Sequence, residues 1–191
     1  SDHPVILLKA IDFRRGTILL GHCVFVALLV LAWQHAELRM TNGDTANQFF
    51  KWLNYDDLNV EAYRYSAIVP QLVVKGMLLT GSDLLAMVVA GSVTHVLVGY
   101  AIFMLCAHFW RADASALATA LAAVLCSRLS FYSPVLEANY LLCYPFLCFG
   151  YLECNSSTLL RTTGKSIAAI VLALPALIVH PMGGVVLSCC A

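Results

Sequence analysis

The residues best suited to chemistry crowd into one polar stretch, residues 34–83, set between long apolar runs. Six of the chain's eleven acidic residues lie there (Glu37, Asp44, Asp56, Asp57, Glu61 and Asp83), with Arg39, Lys51, Arg64 and Lys75 among them. Asp44 follows the turn signal Thr41-Asn42-Gly43 and opens the helical pattern TANQFFKWL. A carboxylate there acts as a general base, or it caps the helix, a contact worth about 1 kcal/mol. Asp56, Asp57 and Glu61 offer oxygen ligands of the kind that hold Mg2+ or Mn2+, or they form a solvated loop face. Arg64, three residues past Glu61, pairs with it on one helical face or grips a phosphate with two parallel hydrogen bonds. His180, ahead of Pro181 at the end of a later apolar run, reaches the same surface or simply ends a helix.

The elements that hold these residues are membrane helices. Hydrophobic residues make up 61% of the 191, charged residues 12%, and the mean hydropathy is +0.82. Soluble domains are about 45–50% apolar and roughly 25% charged, so a soluble fold has no way to cover this surface. The expected fold is all-α: a polytopic transmembrane helix bundle of about five complete spans plus an incomplete sixth. The expected spans are residues 17–33, 84–110, 114–129, 137–154 and 166–179, and the run from 183 stops after too few residues to cross. The alternating alanines from Ala114 to Ala122 give small-x-x-x-small spacing, which suits a helix inside a bundle. Pro145 is expected to kink the fourth span.

Residues 1–16 read as a cytoplasmic N-terminal segment with an interfacial turn, 17–33 as the first span, 34–83 as an external amphipathic region and 84–191 as the remaining bundle. Within 34–83, Ala46, Phe49, Phe50 and Leu53 share one face, which predicts a helix lying on the membrane surface. Pro70 then admits a second apolar piece, 71–79, too short to span. Lys9, Arg14, Arg15, Arg111, Arg161 and Lys165 gather on one side and only Arg128 in the short loops of the other. The positive-inside rule therefore sets the N-terminus in the cytoplasm and 34–83 outside. The dangling sixth run leads us to expect a portion of a longer protein, or else a small subunit of an assembly.

The eight cysteines lie in or beside apolar runs without C-x-x-C spacing, and they read as small hydrophobes. His22 and His95 lie within spans, where an ionisable side chain is a functional hypothesis by default. Paired haem or pigment ligation needs two histidines at one depth. These sit roughly 8 Å and 20 Å from the inner face at 1.5 Å per residue, so a haem or pigment at His95 is disfavoured against a hydrogen bond to Thr94 or Asn139. Zero net charge and the lack of a basic run exclude nucleic acid as a suggested partner.

One stretch resembles a known family. A first span, an acidic residue opening a surface helix in the first external loop, then Arg and Pro ahead of the second span resemble the GT-C membrane glycosyltransferases. The matching residues are Gly43-Asp44-Thr45-Ala46-Asn47-Gln48 and Ala62-Tyr63-Arg64-Tyr65-Ser66-Ala67-Ile68-Val69-Pro70. The chain has a single Asp where some branches have an Asp-Glu pair, and fewer spans than the family's enzymes. The resemblance implies sugar transfer from a polyprenyl-phosphate donor at the external face. It implies Asp44 as catalytic base or metal holder, Arg64 on the leaving phosphate, and a divalent cation. Beside this stands a non-catalytic integral membrane subunit that scaffolds a larger complex, with lipids and other membrane subunits as partners.

Overall fold

Two stretches have the length and apolar character to cross a bilayer, and both form unbroken helices in the computed structural model, which describes residues 3–60, 68–125, 143–155 and 163–179. Helix α1 (His3–Gln34) contains the apolar run Arg14–Gln34. Helix α5 (Leu84–Met104) continues through a wider turn to give the run Leu84–Phe109. The first run is 21 residues and the second 26, enough at 1.5 Å per residue for a hydrocarbon core about 30 Å thick. The described residues are all-helical. Between the two long helices lie α2 (Ala36–Met40), α3 (Gly43–Asn54) and α4 (Ile68–Leu79). After them come α6 (Asp113–Leu125), α7 (Pro145–Asn155) and α8 (Thr163–Val179).

The long helices run antiparallel, and small residues set their separation. Along α1, Gly21 meets Phe103, Phe25 meets Gly99, and the Ala32 carbonyl accepts from Ser92, so α5 numbers fall as α1 numbers rise. Phe25 stacks on Tyr100 with ring centroids 5.3 Å apart. This seam, with Ile102, Cys106, Ala116 and Ala120, forms one core. Another face of α1 points outward: Leu19, Leu20, Val26, Val30, Leu31 and Trp33 are all exposed. An apolar belt of that extent is the surface a helix presents to lipid.

Helix α6 packs against α1, α5 and α7 through a strip of Ser115, Ala116, Thr119 and Ala120. Of the alternating alanines only Ala116 and Ala120 lie on the packing face, with Ser115 and Thr119; Ala118 and Ala122 are half-buried and Ala114 is exposed. Pro145 does not kink α7. It is the helix's first residue, where its missing N–H would have had no intrahelical acceptor. Residues 3–16 are not a separate interfacial turn, because α1 begins at His3 and continues through them. Helices α6, α7 and α8 are 13, 11 and 17 residues long. The parts of the expected third and fourth spans at 126–142 lie outside the described residues, as does the expected sixth run.

A second core lies under α2–α4, where Ala36, Met40, Phe49, Trp52 and Val74 pack on Met87 and Val88 of α5. Gly91 makes this contact possible: a Cβ there would meet the Met40 methyl at 2.9 Å.

The seam predicts a contrast between two glycines of α1. A Cβ at Gly21 would lie 2.1 Å from the Phe103 ring, whereas one at Gly16 meets nothing within 4 Å. Gly21→Ala is expected to destabilise the fold by about 1–3 kcal/mol through overpacking. Gly16→Ala is expected to raise stability or leave it unchanged, since alanine is the better helix former. Thermal unfolding of both variants in one detergent checks the difference.

Candidate functional site

The polar stretch folds as a helical cap over the 34/84 ends of the two long helices. Its anchor is Arg39, only 2% exposed on the five-residue helix α2. The Arg39 Nη1 donates to the Ser92 carbonyl at 3.0 Å and to Ser92 Oγ at 2.8 Å, and Ser92 Oγ donates in turn to the Ala32 carbonyl at 2.7 Å. One chain of hydrogen bonds thus joins α2, α5 and α1. Hydrogen bonds to a charged group are worth about 1.5–3 kcal/mol each, and a buried guanidinium without them would not be tolerated. His95, one turn along α5 from Ser92, is buried and feels the Arg39 charge. The neighbouring Thr94 Oγ1 donates to the Ala90 carbonyl at 2.7 Å. Asn139 lies outside the described residues.

Helix α3 begins at Gly43, whose φ of +50° is a left-handed conformation that glycine adopts without a Cβ clash. Asn42 holds the N-cap position in extended backbone with no side-chain cap bond, and its carbonyl accepts from Thr45 N and Ala46 N. Asp44 is therefore not the cap. It is exposed in the first turn, where the positive end of the helix dipole favours a carboxylate.

The buried face of α3 is Thr45, Gln48, Phe49 and Trp52, spaced i, i+3, i+4, i+7. This is one residue away from the expected Ala46–Phe49–Phe50–Leu53 face, and Phe50 is 61% exposed. Trp52 decides the rotation: it is wholly buried, edge-on to Phe49, in the core over α5. The expected short apolar piece after Pro70 is α4, which packs on α3 and α5 with Pro70, Gln71 and Val74 buried.

Asp56 and Asp57 are exposed in the turn after α3. The Lys75 ammonium of α4 donates to the backbone carbonyls of Tyr55 and Asp56, closing the open end of α3. Among the described residues no group of three His, Cys, Asp or Glu side chains converges on one point. Glu61, Arg64 and His180 lie outside the described residues.

Beside the cap is an open groove of about 410 Å3 lined by Trp33, His35, Glu37, Leu38, Leu85 and Val89, with Gln34 and Ala36. It combines a carboxylate and an imidazole with exposed apolar side chains at the ends of both long helices. Asp44, Asp56 and Asp57 do not line it.

The opposite end of the helices is also polar. Arg14 Nε lies 3.4 Å from Asp113 Oδ1. Glu153, near the end of α7, accepts from Ala114 N, Ser115 N and Ser115 Oγ, capping α6 from 38 residues away. His22 pairs with Tyr100 and His108, and not with His95. The antiparallel register puts His22 beside Tyr100 and Phe103, while His95 lies toward the cap beyond Gly99, so the two are at different depths.

Sequence reasoning missed Arg39 and His108. Arg39 read as one more loop charge; the apolar positions flanking it, Ala36 and Met40, were the available signal that α2 is a packed turn. His108 was passed over because it lies near the end of a span. No family model, no curated protein and no solved structure matches the chain.

Ser92→Ala removes one of the two Ser92 acceptors of the Arg39 guanidinium as well as the bond to Ala32. It is expected to lower stability by about 1.5–3 kcal/mol and to loosen the cap before the helix pair. Hydrogen exchange resolved by segment should show faster exchange in 36–54 than in 14–34.

Proposed function

We propose that the chain belongs to a polytopic membrane glycosyltransferase, with its N-terminus in the cytoplasm and the cap at the external face. The observation that carries this reading is the position of Asp44. It is an exposed carboxylate on the first turn of α3, on a cap fixed rigidly over two helices long enough to span a membrane. The neighbouring groove, part apolar and part charged, suits a lipid carrier whose chain lies along Trp33 and Leu85 while its head meets the cap.

In this reading the acceptor hydroxyl gives its proton to the Asp44 carboxylate. The hydroxyl oxygen forms a bond to the anomeric carbon of the sugar. The bond from that carbon to the phosphate oxygen breaks, and its electron pair leaves with the polyprenyl phosphate. Arg64 meets the developing phosphate charge, with Glu61 and His180 as further binding groups. Asp56 and Asp57 are two adjacent exposed carboxylates that would hold Mg2+ or Mn2+ only together with water and the donor's phosphate oxygens, and no step is routed through a metal.

A second reading, a non-catalytic subunit that scaffolds a membrane complex, is favoured by α8. Its Ile167, Ile170, Val171 and Leu174 are all exposed, a surface that neighbouring subunits or lipid would cover.

Two experiments test the proposal. Asp44→Asn is expected to reduce transfer from a polyprenyl-phosphate sugar by about 10²–10⁴-fold, the range for loss of a general base, with membrane insertion unchanged. Full turnover in that variant removes the enzymatic reading. For orientation, Asp56→Thr turns Asn54-Tyr55-Asp56 into an N-x-T glycosylation acceptor. With the native Asn155-Ser156-Ser157 acceptor removed by Asn155→Gln, translation with microsomes should then yield a glycosylated chain, and an unmodified one would put the cap on the cytoplasmic side.

A further inference from the structure

We propose that His22 and His108 form a binding site for a divalent late transition metal, with Zn2+ as the reference ion. The two residues are 86 apart in sequence, yet their Nε2 atoms are 3.2 Å apart. A metal bound to both at roughly 2.0–2.1 Å would subtend about 103° across that separation, between a right angle and the tetrahedral angle. Imidazole nitrogen suits Zn2+, Cu2+ and Ni2+ better than the oxygen-seeking Mg2+.

The second observation lies behind His22. Its Nδ1 is 2.8 Å from the Tyr100 hydroxyl. A histidine that binds metal through Nε2 ordinarily donates its Nδ1–H to such a partner, which fixes the tautomer and the ring's direction. The edges of Tyr100 and Phe103 meet the His22 ring at 88° and 83°, holding it in place. His22 is thus a pre-oriented ligand before any metal arrives.

The third observation is the backbone under His108. Helix α5 widens over Leu105–Phe109 into a π-helical turn, closed by Trp110 N donating to the Leu105 carbonyl at 2.9 Å. Such turns are frequent at functional sites. Here Cys106 and Ala107 remain buried, while His108 is exposed and opposite His22.

With the rings tilted 37° and their centroids 5.4 Å apart, the two Nε2 atoms point at each other across a shared hydrogen bond. Metal entry requires the exposed His108 ring to swing. Each ring would then bind through its Nε2 lone pair, with water completing the coordination. The nearby Arg14 charge is met by Asp113 at 3.4 Å, so it does not stand unopposed beside the cation.

Calorimetric titration of the untagged full chain in detergent with Zn2+, alongside Co2+ visible absorption, tests the site. Saturable binding of one ion per chain is expected. His108→Ala should abolish it without changing helix content, and His108→Cys should retain it through a thiolate ligand. Tyr100→Phe should weaken binding by about 10-fold as a loss of outer-shell support. An isotherm unchanged in His108→Ala, or no saturable binding by the wild type, overturns the proposal.

Discussion

Arg39 cannot be buried unless its guanidinium is satisfied, and that requirement fixes how the cap sits on the two long helices. The Nη1 group takes both the carbonyl and the hydroxyl of Ser92, and the same hydroxyl reaches back to Ala32. A shift of the cap by one residue along α5 would replace Ser92 with Gly91 or Val93, neither of which has a hydroxyl. It would also take Met40 out of the notch at Gly91, where a Cβ would come within 2.9 Å of its methyl. The polar link specifies the register and the apolar contacts beneath it supply the bulk of the burial. Neither does so alone, because α2 is five residues long and too short to be stable by itself.

The other end is organised by the opposite logic. There the charges lie nearer the surface and serve helix termini. Glu153 supplies a carboxylate to the first N–H groups of α6, while Asp113 in the same turn meets Arg14 of α1. Two acidic side chains at the positive end of α6 agree with its dipole. Gly150 lets α7 approach the π-helical turn closely, since a Cβ there would lie 2.7 Å from Cys106 Sγ. The wider turn and the glycine fit one another: the extra residue turns Cys106 and Ala107 inward, and Gly150 leaves room for them.

What the sequence makes legible follows from which signals are local. The long apolar runs declared α1 and α5, because they depend on composition along one helix; the alanine spacing gave only Ala116 and Ala120 of the α6 packing face, which Ser115 and Thr119 complete. The helix of the polar stretch was also legible, since Gly43 and the pattern after it are local. Its buried face was not. Phe49, Phe50 and Leu53 satisfy a surface-helix pattern as well as Phe49 and Trp52 satisfy a packed one. Only the core over Val74, Met87 and Val88 selects the face that buries Trp52. The partners of Arg39, of Glu153 and of the His22–His108 pair were illegible for a different reason. They lie 38 to 86 residues away, and no pattern within one helix announces them.

The division of labour in the cap bears on how Asp44 is to be understood. Helix α3 is held from below by Trp52 and Phe49, at its end by Lys75, and at its start by the glycine conformation of Gly43 and the Asn42 carbonyl. None of these uses the Asp44 carboxylate as a cap. An acidic residue in a first turn gains a modest interaction with the helix dipole, about 0.3–1 kcal/mol. That is small beside the several kcal/mol at stake in burying a tryptophan. Fold and chemistry are therefore separable at this position. The same separation holds for His108, exposed on a turn whose geometry is carried by Cys106, Trp110 and Gly150. At both ends the residues that can act on another molecule sit on structure that other residues hold in place.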